Sequence, residues 1–145
     1  METDMNNAVK DFLDGYLCSE AIVKNFIKDE TLLRASSAFG AGIAYGNSLC
    51  GALSGGILAL SAVQGRASNN EGVDKLFEDI AELRSSFEKE FGATSCSTLL
   101  SFNLTDSDGG AKFESGDCKN QKCAKYIEFV TQKVEELLNN DKISS

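Results

Sequence analysis

The chain has 145 residues, of which 42% are hydrophobic, and its formal net charge is −8. This size and composition predict one globular domain over residues 1–145 and argue against wholesale disorder. The acidic balance argues against nucleic acid as a partner, because such binding rests on neutralising phosphates, and the absence of histidine excludes Cys–His nucleophiles, Cys2His2 zinc sites and histidine-ligated haem.

Apolar residues recur at steps of three and four almost throughout the chain, which predicts helices at about 5–14, 18–28, 30–39, 49–64, 73–91, 95–101 and 121–140. The clearest is 73–91, where an apolar stripe that includes Phe77 and Phe87 faces Glu and Lys residues. Ile43 and Tyr45 hint at extended structure, but no convincing strand pattern follows. We therefore predict an all-α fold: a single compact, bundle-like domain of about six to seven helices.

Two polar segments and one charge-free stretch lie between or within the predicted helices. Residues 65–72 and 103–120 are polar and are expected to be surface loops, the second the more mobile. Residues 35–65 carry no charge, but glycines interrupt them, and their densest apolar part is shorter than the about 20 residues that a membrane span needs. A buried central helix is favoured over a span.

The N-terminal residues 1–4 are acidic and lack the basic, then apolar layout of a signal peptide. We therefore expect a cytoplasmic location, where thiols are normally kept reduced. The five cysteines are accordingly not expected to form a disulfide framework.

Glycines cluster in two places. Those at 40, 42 and 46 come near the dinucleotide fingerprint, but a helical segment precedes them where a strand is required, so tight backbone packing is favoured over nucleotide binding. Gly51 and Gly55, four residues apart, leave a smooth helix face. Because glycine in a helix costs about 1 kcal/mol relative to alanine, we expect this face to accommodate a crossing helix or a bulky group beside Cys50.

Four of the five cysteines fall where a predicted helix begins, in register with its apolar face. They are Cys18, Cys50, Cys96 and Cys123. Their thiols should point inward, and a helix N-terminus, with its partial positive charge, favours a thiolate. This pattern suggests a metal, an iron–sulfur cluster or a redox couple, against the plain alternative of cysteines that serve as small core residues. Cys118 lies in a polar stretch and follows no such pattern.

The same cysteines carry a family resemblance. Cys50-Gly51-Ala52-Leu53-Ser54-Gly55 has the form CGAxxG, and further cysteine blocks lie at 17–23, 91–100 and 123–127, with a glycine loop after 34–39. The chain resembles, over nearly its whole length, the redox-active proteins named for the pattern C_GCAxxG_C_C. A related domain occurs in split-Soret cytochromes.

The resemblance implies a helical domain that binds an iron–sulfur cluster, with [2Fe–2S] expected, through Cys18, Cys50, Cys96 and Cys123. Oxygen can strip such a cluster from the isolated protein. No residue resembles a substrate-activating acid or base, so an electron carrier or redox sensor is favoured over a self-sufficient enzyme. Its partner would be an unidentified redox protein. A homo-oligomer is left open. Cys118 is an extra cysteine that could replace Cys123 as ligand or resolve an oxidised thiol. The alternatives are thiol–disulfide exchange, with Cys118 and Cys123 as a candidate pair, and a structural zinc site or cysteine-core interaction domain.

Overall fold

Helices dominate the computed structural model, which describes residues 6–144 and the side chains of residues 6–139. All seven predicted helices are present: α1 (Asn7–Leu13), α2 (Cys18–Phe26), α3 (Glu30–Ser36), α5 (Gly51–Gln64), α6 (Asp74–Phe91), α7 (Cys96–Leu100) and α9 (Ala124–Ser144). Between them lie a 3-10 turn (Ser37–Phe39), α4 (Gly40–Ala44), α8 (Gly109–Ser115) and a π-turn (Lys119–Cys123). Extended pairing over residues 6–144 is limited to a bridge between Leu49 and Ser95, so the all-α prediction is confirmed.

Helix α5 lies at the centre of the molecule. It packs against α2, α6 and α9, and more than half of its residues are buried, as expected for the charge-free stretch. Within the part of the chain that the structure describes, no helix is both long enough and apolar enough to cross a membrane.

The glycines of α5 allow its neighbours to approach closely. A Cβ atom at Gly55 would lie 2.9 Å from the carbonyl oxygen of Ser19 in α2, and one at Gly56 would lie 2.6 Å from a methyl of Val130 in α9. Neither position has room for a side chain, so the expected smooth face is present and helix crossings use it.

Aromatic rings join α6 to α9. The fully buried Phe87 ring lies 4.9 Å from Phe91, 5.7 Å from Tyr126 and 6.1 Å from Phe129 between centroids, all in tilted or edge-on geometry. We call these four residues the aromatic core. Phe77 was expected in the same stripe, but it is 63% exposed, because it lies one residue beyond the inward-facing Leu76 on the helix surface.

The glycine loop forms a left-handed turn, and the hint of extension at Ile43 and Tyr45 is wrong. Their φ angles are 64° and 65°, and Ala41, Gly42 and Ala44 also have positive φ. The Tyr45 N–H donates to the carbonyl oxygen of Ala41 at 3.0 Å, which closes one turn of left-handed helix. For residues other than glycine, such a turn costs roughly 1–2 kcal/mol per residue, so neighbouring structure must hold it in place.

The two predicted loops have different outcomes. Helix α5 ends at Gln64 and α6 begins at Asp74, which confirms the first loop. The second is wrong in part, because α8 and the π-turn interrupt residues 103–120. Gly109 begins α8 where a Cβ would lie 2.5 Å from the carbonyl oxygen of Leu104, a packing restraint that the polar sequence did not reveal. That residues 1–145 form one domain stays a prediction.

Candidate functional site

All four predicted cysteines line one cavity of about 630 Å³. They are Cys18, Cys50, Cys96 and Cys123, supplied by four separate segments of the chain. The rest of the wall is mostly apolar or aromatic, and includes Phe12, Leu17, Tyr45, Leu99, Phe113 and Tyr126. Folding therefore converges the four thiols on a single, largely apolar chamber, which we call the cysteine cavity.

Three of the four cysteines lie at a helix start, as predicted. Cys18 and Cys96 are the first residues of α2 and α7, and Cys50 is the N-cap residue of α5. Cys123 is different, since it ends the π-turn and the helix continues through it into α9. The N–H of Ala124 already donates to the carbonyl oxygen of Lys119. The prediction of a helix start at Cys123 is therefore wrong, although its inward register is right.

Backbone hydrogen bonds hold the starts of α5 and α7 together. The Cys50 N–H donates to the Thr94 carbonyl at 2.8 Å, and the Cys96 N–H donates to the Ser48 carbonyl at 2.7 Å. This reciprocal pair flanks the Leu49–Ser95 bridge. The separation of Cys50 from Cys96 is thus fixed by main-chain atoms.

Two glycines make room for cysteine sulfur and carbon. A Cβ at Gly51 would lie 2.2 Å from Cys18 Sγ, and one at Gly42 would lie 2.7 Å from Cys96 Cβ. Gly42 also has a φ of 69°, which glycine adopts without the steric cost that other residues incur. The glycine after Cys50 in CGAxxG therefore has a direct structural reason: the Cys18 side chain packs against the start of α5.

The left-handed turn forms part of the cavity wall. Ala41 and Tyr45 both line the cavity, and the backbone of Ala41 acts to lower the pKa of Cys18 against the larger effect of burial. An N–H aimed at sulfur favours the charged thiolate. The turn therefore serves the site directly, and backbone strain of this kind is often found at functional sites.

The thiols are harder to ionise than free cysteine. Burial raises the pKa of Cys50 to about 12 and that of Cys96 to about 11, with the charge of Cys18 as the second cause in both. Burial also raises the pKa of Cys18 and Cys123. Backbone N–H groups at the start of α5 act in the opposite direction at Cys50, but they do not outweigh burial. The expected bias of helix starts towards thiolate is present at Cys18 and Cys50, but the pKa still rises because desolvation outweighs it.

The cysteine arrangement is not a ready-made site for one ion. Within the residues described, no group of three or more Cys, Asp or Glu side chains is placed to hold a metal ion. A tetrahedral zinc site needs four sulfurs at about 2.3 Å from a single atom. A cluster spreads its ligands over several iron atoms, and four thiols around an apolar cavity supply the ligand type that such clusters use. Thiolates are ligands that both zinc sites and iron–sulfur clusters use, so the type of donor fits either.

Sequence reasoning missed two polar residues of the cavity, Lys119 and Tyr126. Burial raises the pKa of the Tyr126 hydroxyl to about 12, with a further rise from the charge of Cys123. Tyr126 follows Cys123 by three residues, a spacing that places both on one helix face and could have revealed it. Lys119 Nζ lies 5.2 Å from the centre of the Phe12 ring, but the predicted loop gave no signal for it.

Comparison with known families agrees with the geometry. A family model described as "Putative redox-active protein (C_GCAxxG_C_C)" matches residues 16–137, well over half of the chain. No curated protein and no solved structure matches the chain. The matched region contains all four cavity cysteines and Cys118.

Proposed function

We propose, from the premise that this chain belongs to the C_GCAxxG_C_C family of redox-active proteins, that its cysteine cavity binds an iron–sulfur cluster, most simply [2Fe–2S]. The observation that carries the proposal is the convergence of four thiols from distant segments on one apolar cavity. When bound, such a cluster takes up and releases electrons at a potential that its surroundings set. Electron transfer or redox sensing is the function that follows.

The proposed ligands are the thiolates of Cys18, Cys50, Cys96 and Cys123. Because burial raises the pKa of each thiol, each sulfur must lose its proton as it binds iron. Binding should therefore release protons and weaken as the pH falls. The wall of the cavity is largely apolar, and the polarity around a cluster is one of the factors that set its potential.

Backbone groups would stabilise the negative charge of the ligands. The backbone of Ala41 acts to lower the pKa of Cys18, and those of Ala52 and Leu53 do so at Cys50, in both cases against a larger rise from burial. Hydrogen bonds to ligand sulfur are among the factors that set a cluster's reduction potential. The left-handed turn and the start of α5 are thus proposed to tune the site as well as to shape it.

The lining of the cavity supports a carrier or sensor more than a self-sufficient enzyme. No carboxylate lies among the described residues that line it, and Lys119 is their one charged side chain. General acid–base work on a substrate would need a titratable group near the operating pH. A separate redox protein is therefore the proposed partner. A reducing compartment such as the cytoplasm suits the five cysteines, which are all free.

The test is an absorption spectrum of anaerobically purified protein, with iron, sulfide and zinc assayed on the same sample. We expect visible bands that bleach on reduction, with iron and sulfide present. Serine variants of the four cavity cysteines should each lose the bands. Cys118→Ser is the matched control and should keep them.

Two results would contradict the proposal. One is a colourless protein that stays free of iron after anaerobic reconstitution, which would leave direct thiol chemistry. The other is zinc alone, which would indicate a structural site. Should Cys118→Ser lose the bands while Cys123→Ser keeps them, the fourth ligand would be Cys118.

A further inference from the structure

The π-turn before α9 brings the fifth cysteine into relation with the cavity. Cys118 immediately precedes this turn and Cys123 ends it. Hydrogen bonds in a π-turn join residues five apart, so residue i+5 comes to lie over residue i. In an α-helix, by contrast, a separation of five residues points two side chains about 140° apart. The π-turn therefore turns Cys118 and Cys123 towards the same side.

The Cys118 and Cys123 thiols differ in whether they line the cavity. Cys118 is only 3% exposed although it lies in a polar stretch. Burial is the main cause of the raised pKa of Cys123, and the charges of the other cavity thiols and then of Cys118 add to it. Cys123 lines the cavity, whereas Cys118 is absent from the lining. A small molecule that enters the cavity thus meets Cys123 and not Cys118.

We propose that Cys118 is a resolving thiol for Cys123, so that the pair forms a reversible disulfide when a peroxide enters the cavity. The Cys123 thiol loses its proton as its sulfur attacks one oxygen of hydrogen peroxide, and the O–O bond breaks, which leaves a sulfenic acid on Cys123 and a hydroxide that takes up that proton. The Cys118 sulfur then attacks the Cys123 sulfur, the S–O bond breaks, and the departing hydroxide leaves as water with the Cys118 proton. In total, two thiols lose two electrons and two protons, and one peroxide becomes two waters.

This pairing does not rest on the proposed function, since it needs only the two thiols and an oxidant. Its consequence does rest on that function: if Cys123 is a ligand, the disulfide withdraws one of four thiolates. The extra cysteine would then make loss of the cluster a controlled, reducible event, because a disulfide protects Cys123 from irreversible oxidation.

The chain offers a clean test by mass spectrometry. Trypsin cuts after Lys119 and Lys122, so Cys118 and Cys123 fall in separate peptides, 113–119 and 123–125. The full-length protein is reduced, treated with a chelator, exposed to one equivalent of hydrogen peroxide, and its remaining thiols are blocked before digestion. We expect these two peptides to be joined as the main disulfide species and to separate on reduction.

Variants distinguish a resolving role from simple proximity. Cys118→Ser should leave Cys123 as a sulfenic acid, detected as several-fold more label from a sulfenic-acid-specific reagent than in the parent. Cys96→Ser, which removes another cavity thiol, should keep the joined peptides. Circular dichroism checks that each variant is folded.

Three outcomes would overturn the inference. They are both peptides recovered with blocked thiols, Cys123 joined instead to another cavity cysteine, and no gain of label in Cys118→Ser. None of these depends on iron content, so this inference and the cluster proposal can fail separately.

Discussion

The aromatic core and the cysteine cavity are built in opposite ways. In the aromatic core the rings of α6 and α9 fill the space, with centroids 4.8–6.1 Å apart. The cavity keeps about 630 Å³ open and is bounded by glycine contacts and a left-handed turn. Tyr126 belongs to both. The comparison shows that the fold is stabilised mainly by close packing in one region, while the open space of the candidate site is kept in another.

The largest effect should come from emptying the aromatic core. Phe87→Ala is expected to lower the free energy of unfolding by about 3–5 kcal/mol, because Phe87 is fully buried and leaves a void between α6 and α9. Phe77→Ala is the matched control on the same helix, where the ring is 63% exposed, and it should cost far less. Urea unfolding measures both. Equal losses in the two variants would mean that the rings of α6 do not divide into core and surface as the structure has them.

An intermediate effect should come from filling space beside the cavity. Gly51→Ala is expected to lower the free energy of unfolding by about 1–3 kcal/mol, because its Cβ would lie 2.2 Å from Cys18 Sγ. The cost of this steric clash exceeds what alanine gains in helix propensity. Gly110→Ala in α8 is the control, since a Cβ there meets nothing within 4 Å, and it should be neutral or stabilising by up to about 1 kcal/mol. Thermal unfolding compares the two. If Gly51→Ala is as stable as its parent, the close contact with Cys18 does not constrain α5.

The smallest effect is that of replacing alanine by glycine, which should change the free energy of unfolding in opposite directions in the left-handed turn and in a regular helix. Ala44→Gly should raise the free energy of unfolding by up to about 1 kcal/mol, since Ala44 has a φ of 52° and glycine relieves the strain. The same change in regular helix, Ala81→Gly in α6, should lower it by about 1 kcal/mol. Both alanines are exposed, so lost burial does not obscure the result. Chemical denaturation that gives the same sign for both would contradict the left-handed turn.

Much of the fold could be predicted because it follows local periodicity. The stripe of α6 and the run Ile127, Val130 and Val134 in α9 repeat at helical spacing, and all three of these α9 residues are fully buried. The inward register of the cavity cysteines follows from the same repeat. Such patterns depend only on which residues face a core, so a single sequence contains them.

The rest depends on contacts between distant segments. The left-handed turn is locally unfavourable, and only its place against Cys18 and Cys96 accounts for it. The π-turn that buries Cys118 interrupts helical spacing by one residue, which no pattern of apolar residues marks. The raised pKa values likewise come from burial among other thiols. Propensity and spacing cannot report these tertiary effects.

The bridge between Leu49 and Ser95 also bears on how the molecule assembles. It closes a loop of about 46 residues whose two arms are α5 and α6, and loop-closure entropy must be overcome before contacts across that loop stabilise it. Cys50 and Cys96 therefore face each other only where this long loop is closed, and Cys123 lines the cavity only where α9 packs against α5. The four thiols thus meet through contacts between segments far apart in the sequence, so any change that opens the loop or releases α9 also takes the cavity apart.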